Sequence, residues 1–235
     1  MFRVLIITDS LGFPRKTPSA VHYQETYVSL LKHQFPEIDF IHHGRGGGTI
    51  AELYDMSSYF HDTLDPDIVF IQSGIVDCAP RALSHTENRL ISLLPFVRKP
   101  IFFLVRKWSR FLRKVRGISY TSINDFHEVV CKFNQSFSKV YWVEILPASD
   151  EYENHLEGVG VNISTFNKVL KRYNYIPTED FNKEDMLSDF HHLSASGHRK
   201  VFERISQVIV ESFSSADSNS QLSRCANYHS PPSIR

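Results

Sequence analysis

Arg3-Val4-Leu5-Ile6-Ile7-Thr8-Asp9-Ser10-Leu11-Gly12 is the stretch that decides the fold. Arg3 to Thr8 is a short run of buried-type residues that breaks abruptly into a polar turn. Such a run reads as a strand covered on both faces, the kind found in a parallel sheet. A serine placed directly after it sits at the carboxyl edge of that sheet, in the crevice where open α/β sheets bind ligands. Backbone N–H groups of a strand-to-helix turn can point at the same spot. Taken alone, Asp9 and Ser10 are equally at home as turn and N-cap residues.

Outward from this block the same alternation recurs. Further strands are predicted at Ile38–His42, at Asp67–Gln72 behind an Asp65-Pro66 turn, at Val140–Leu146 before Pro147, and at Asn174–Ile176. Helical spacing marks Tyr23–His33, Ile50 to about Tyr59, and Ala195–Phe213, where Val201, Ile205, Val208 and Ile209 share a face. Strands alternating with helices predict an α/β fold with a parallel sheet, and 235 residues suit one domain. Residues 1–213 form its expected body. From 214 to 235 the chain is rich in Ser, Asn, Asp and Pro, and a disordered tail is expected. The stretch 98–117 is a basic insertion, read as a strand at Ile101–Val105 followed by a basic helix from Arg106 to Arg116. Leu104, Trp108, Phe111, Leu112 and Val115 line one side of it. An interfacial helix in peripheral contact with a membrane through 101–116, an anion-facing lid and a core-packed helix with a solvated face all fit that pattern.

Basic and acidic residues balance at 26 each, so the whole molecule has no field to recruit nucleic acid. Cys78, Cys131 and Cys225 form no Cys-x-x-Cys pair and no disulfide framework. That suits a reducing compartment, and no stretch approaches the roughly 20 apolar residues that span a bilayer. The first apolar run is too short for a signal segment, and a cytoplasmic location is expected. His42, His43, His191, His192 and His198 show no metal-ligand spacing with a carboxylate, so neither metal nor cofactor is expected.

Near the other end stands Asp189-Phe190-His191-His192-Leu193-Ser194-Ala195-Ser196-Gly197. An Asp three residues before a His can orient its imidazole through one ring nitrogen and leave the other free to take a serine proton. His192 has that offset from Asp189; His191 and His198 read as polar residues at the start of the closing helix. Together the Asp-Ser-Leu block and the Asp-x-x-His-Leu block resemble the SGNH/GDSL hydrolase family, over roughly Arg3 to Phe213. The resemblance implies a single-domain three-layer sandwich around a five-stranded parallel sheet of flavodoxin-like order. It also implies esterase or acyl-transfer chemistry, with Ser10 as nucleophile, His192 as base and Asp189 as its orienting partner.

The same resemblance implies an oxyanion hole from the backbone N–H groups of Ser10 and Gly47, with Gly46 the second choice in the Gly46-Gly47-Gly48-Thr49 block. The family's third donor, an Asn after the third strand, is replaced here by Val76 in Gly74-Ile75-Val76-Asp77. Losing one such donor typically costs about 2.7–4 kcal/mol of transition-state stabilisation. Asp9, Gly46, Gly74, Val76, Asp77 and Arg81 are the expected substrate contacts. Arg81 reads either as a cationic donor or anion contact in the crevice, or as a surface arginine capping the next helix. Cys78 is read as a packed small hydrophobe. The expected substrate is an acylated carbohydrate or small ester, in cell-surface polysaccharide metabolism, with Tyr23, Tyr54 and Tyr59 as sugar-stacking candidates. An acyltransferase acting on a saccharide and a non-hydrolytic ligand-binding relative are the alternatives, the second because of Val76.

Overall fold

A computed structural model describes residues 2–227. Five strands, β1 (Arg3–Thr8), β2 (Asp39–Gly44), β3 (Ile68–Gln72), β4 (Val140–Val143) and β5 (Tyr175–Ile176), form one sheet in the order β2-β1-β3-β4-β5. Every pairing is parallel, with Val4 opposite both Phe40 and Ile68. All five residues of β3, and Val4 to Thr8 of β1, are buried, as central strands covered on both faces must be. The fourth strand ends at Val143, before the predicted Leu146, although Glu144 N–H still bonds to Ile176 O at 3.0 Å.

The helices are α1 (Tyr27–Gln34), α2 (Ile50–Met56), α3 (Ser58–Thr63), α4 (Ile75–Cys78), α5 (His85–Ser92), α6 (Arg98–Lys107), α7 (Ser109–Arg116), α8 (Ile123–Ser136), α9 (Asp150–His155), α10 (Val159–Leu170) and α11 (Ala195–Asn227). The β1-to-β2 crossover runs opposite to the later ones. Right-handed connections therefore put α1 on one face and α2, α8 and α10 on the other. α11 packs against α1, and α8 packs against α2 and α10, which completes three layers. On α11, Val201, Ile205 and Ile209 repeat every fourth residue and are fully buried. Among the described residues no helix is long and apolar enough to cross a membrane.

One expectation is corrected. Ile101–Val105 is not a strand: it lies inside α6, with Phe103 and Leu104 exposed. The sheet is complete without it, and the apolar residues from Ile101 to Val115 follow helical rather than alternating spacing. α11 runs on to Asn227, and positions 228–235 of the expected tail lie outside the described residues.

Candidate active site

Ser10, the Gly46–Gly48 loop and the Gly74–Asp77 segment follow β1, β2 and β3, three neighbouring strands, so they gather at one carboxyl edge. β1 is also where the chain reverses its direction across the sheet, which opens the crevice. Asp9 holds the turn there. Its N–H bonds to Gln72 O at 3.0 Å and its Oδ1 accepts from Leu11 N–H at 2.9 Å, capping the short turn Ser10–Gly12. Gly12 is required beneath it, because a Cβ there would lie 2.5 Å from Thr8 Oγ1.

The imidazole arrives on a short hairpin. Met186 and Leu193 pair antiparallel, Leu187 N–H bonds to His192 O at 2.7 Å, and Ser194 N–H bonds to Asp185 O at 2.9 Å. At the tip Phe190 has φ 68°, a left-handed conformation that costs a side-chain-bearing residue about 1–3 kcal/mol. The turn lets Asp189 reach forward: Oδ1 accepts from His192 N–H at 3.1 Å, and Oδ2 lies 2.9 Å from His192 Nδ1. Ser10 Oγ lies 2.9 Å from His192 Nε2, although 182 residues separate them in the chain. With Nδ1–H donated to the carboxylate, Nε2 is left as an acceptor for the Ser10 hydroxyl.

Burial pushes the Asp189 carboxyl upward, but its hydrogen bonds and electrostatic interaction with His192 outweigh it and hold the group well below the ordinary carboxylate range. The Asp189, His191 and His192 donor atoms all lie within 4.8 Å of one another, close enough for a metal. Both nitrogens of His192 are already engaged, one with Ser10 and one with Asp189.

Several expected substrate contacts prove to be supports. Asp9 is fully buried, and burial raises its pKa to about 7, helped by the Asp77 charge. Asp77 is also fully buried; it accepts from Ile50 N–H at 3.0 Å and from the Thr121 hydroxyl, tying the start of α2 to α4. Gly74 has φ 127°, and a Cβ there would meet Ile145 Cδ1 at 2.5 Å. All three lie inside the protein, Asp9 and Asp77 holding the crevice floor through their carboxylates and Gly74 through its backbone. Gly46 and Gly47 are exposed, with Gly47 at φ 69°, and Val76 is half-buried on α4. Arg81 bonds back to α4 rather than capping the next helix, α5. Its Nη2 donates to Val76 O at 3.1 Å and its guanidinium lies 4.3 Å over the Tyr120 ring. Cys78 is fully buried, and that burial raises its thiol pKa far out of the nucleophilic range.

Two further residues take places that local spacing does not report. His198 is a core residue, not a polar residue at a helix start: its Nδ1 accepts from Tyr27 N–H at 3.3 Å, and burial lowers its pKa to about 4. Gly197 lets α11 start against the hairpin, since a Cβ would fall 2.1 Å from Asp185 O. Asp185 is buried and paired with Lys200 at 2.6 Å. A Gly two residues after Ala195, in the first turn of a predicted helix, was the one available sign of that close approach.

No family model matches the sequence, and no curated protein matches it. Solved structures do match. A lipase/acylhydrolase from Enterococcus faecalis superposes with a TM-score of 0.58 at 16% identity, over 89% of this chain and 95% of that one. The fold is that of the G-D-S-L hydrolases. A lipolytic protein of the G-D-S-L family from Veillonella parvula gives 0.56 at 12% identity, covering 89% and 99%. An acetylxylan esterase from Geobacillus stearothermophilus gives 0.52 at 14%, covering 88% and 93%. On this G-D-S-L fold, the Ser10 turn follows β1 and the His192 hairpin precedes α11.

Proposed function

We propose that this chain is a serine-dependent carboxylic ester hydrolase and a member of the SGNH/GDSL family. The observation that carries the reading is the unbroken relay from the Ser10 hydroxyl to His192 to the Asp189 carboxylate, with both links at 2.9 Å. Ser10 Oγ attacks the acyl carbonyl as His192 Nε2 takes its proton. Nε2–H then protonates the leaving alcohol, and water repeats the cycle on the acyl-enzyme. Asp189 keeps the proton on Nδ1 and stabilises the imidazolium. The backbone N–H groups of Ser10 and Gly47 are the assigned oxyanion donors.

The finer reading is an O-acylated saccharide as substrate, in cell-surface polysaccharide metabolism. It is supported by the acetylxylan esterase among the structural neighbours. Tyr54 gives it no support, because its ring packs at 4.9 Å on Phe133 and 4.4 Å on His61, within the α2–α8 layer. A cytoplasmic location suits Cys78 and Cys131, both free thiols. Val76 favours a second reading, in which the missing side-chain donor leaves a ligand-binding protein with little hydrolysis.

Hydrolysis of 4-nitrophenyl acetate tests these readings. Ser10→Ala and His192→Ala should each abolish turnover, and the double variant should be scarcely worse than either, because relay members act as a unit. Turnover by Ser10→Ala at the wild-type rate would refute the serine mechanism. No turnover by the wild-type protein, with an acylated saccharide still bound, would favour the second reading.

A further inference from the structure

Beside the relay, Val76 on one side and His191 on the other border a hollow of about 140 Å³, which Tyr152 and Leu156 close from α9. Two arginines line it, Arg81 and Arg113, and each has a buried Nε–H with no hydrogen-bond partner. Their remaining bonds go to carbonyls: Arg81 to Val76 O at 3.1 Å and Arg113 to His155 O at 3.5 Å. Among the described residues, no carboxylate lies within ion-pair distance of either. Two cations nearby are served differently, Arg116 being held by both oxygens of Glu87 at 2.8 Å and Lys114 by Glu157 at 3.0 Å. Burial pushes Arg113 below its ordinary pKa, and the Arg81 charge adds to the effect. Two like charges with unsatisfied donors in one small hollow are costly unless an anion enters.

We infer that this hollow is an oxyanion-group subsite, and that the ester substrate carries a carboxylate or phosphate that docks between Arg81 and Arg113. A hollow of this size has room for one such group. Its position against Val76 and His191 puts that group next to the reacting ester. The substrate part of the inference rests on the hydrolase reading; the anion site does not. Inorganic phosphate is the probe, read by melting temperature and by calorimetry at low salt. Wild-type and Ser10→Ala proteins should bind it equally. Arg81→Gln and Arg113→Gln should each weaken binding at least tenfold, and Arg113→Lys should restore part of it, which separates loss of charge from loss of fold. Where 4-nitrophenyl acetate is turned over, phosphate should inhibit, and its inhibition constant should rise tenfold in Arg113→Gln. Absent phosphate binding, or binding unchanged in both Gln variants, overturns the site. Phosphate binding without any ester turnover would instead refute the hydrolase reading and leave the site standing.

The outer face of α5–α7 is built on different lines. Phe96 is 92% exposed, and Leu93, Phe103, Trp108, Phe111 and Val115 are all more than half exposed. Residues 88–117 contain nine arginines and lysines and no Asp or Glu. A hollow of about 520 Å³ is lined by Arg98, Lys99, Arg106 and three neighbours that include Phe102 and Phe103. Large apolar side chains ringed by cations of one sign complement a surface that is apolar beneath and anionic above. We propose that this face docks on an anionic lipid bilayer.

Trp108 is the natural reporter, because the other tryptophan, Trp142, is fully buried. Vesicles with phosphatidylglycerol should shift its emission to the blue and pellet the protein. Pure phosphatidylcholine should bind at least tenfold more weakly, and high salt should reverse the binding. A Phe96→Ser, Phe103→Ser, Phe111→Ser variant with an unchanged melting temperature should lose at least tenfold. Equal binding to both vesicle types, binding to neither, or concentration-dependent self-association in their absence overturns the proposal.

Discussion

Single side chains set the chemistry, and Val76 is the most informative of them. It stands where the family resemblance places an oxyanion Asn, half-buried and against the same hollow as His191. Val76→Asn should raise turnover of an activated ester, by at most the hundred- to thousandfold of one oxyanion donor and about tenfold if the amide is poorly aimed. The substrate dissociation constant should hardly move, because the donor acts on charge that develops during attack. Asp9 offers a test of stability instead. Its Oδ2 is buried without a partner, and burial raises the carboxyl pKa from the ordinary carboxylate range to about 7. The folded protein therefore holds a proton that the unfolded chain releases, so stability is fullest below about pH 4 and falls as pH rises toward 7. Asp9→Asn keeps the acceptor for Leu11 N–H and removes the charge. Its melting temperature should match wild type near pH 4 and exceed it at pH 8, and a variant less stable at both would show a role for the carboxylate that burial does not explain. Asp189, held low by His192, has the opposite sign and loses its contribution as pH falls.

At the level of elements, the tightest fit is where the His192 hairpin meets α11. Gly197→Ala would drive a methyl into Asp185 O at 2.1 Å, whereas at Gly46 the nearest atom to an added Cβ is 4.0 Å away. Gly197→Ala should cost about 1–3 kcal/mol, the usual range for overpacking, and lower turnover with it, while Gly46→Ala should leave the melting temperature within a degree or two. Equal effects in thermal denaturation would refute this contrast. Phe213 packs on Phe2 at 4.4 Å between ring centroids, so removing residues 215–235 should leave both stability and turnover nearly unchanged. Element types were legible where period and punctuation agreed, as in β1 with its polar stop and α11 with its fourfold repeat. They were illegible at Ile101–Val105, where a β-rich apolar run is also helix-spaced and only the finished sheet decides. The hairpin strain at Phe190 and the close approach at Gly197 depend on contacts between chain segments, which spacing along one segment does not report.

Across the whole molecule, the relay could be read from the sequence because its members sit at two punctuated junctions, one near each terminus. Arg81 was read there too, with its role left open. Arg113 was not, since its meeting with Arg81 depends on how α7 folds back over α4 and α9. Buried Asp77 and His198 were misjudged for a related reason: polar residues in loops read as surface until the packing is known. The sheet is built wholly from parallel pairs, each needing a crossover, so its contacts are long-range and its folding is expected to be slow for its size. Ser10 lies at the start of the chain and waits for a partner 182 residues later. On the proposed mechanism the nucleophile therefore leaves the ribosome long before its base exists, and a growing or prematurely terminated polypeptide would be chemically inert. Every copy that acquires reactivity has already been read through to its last helix.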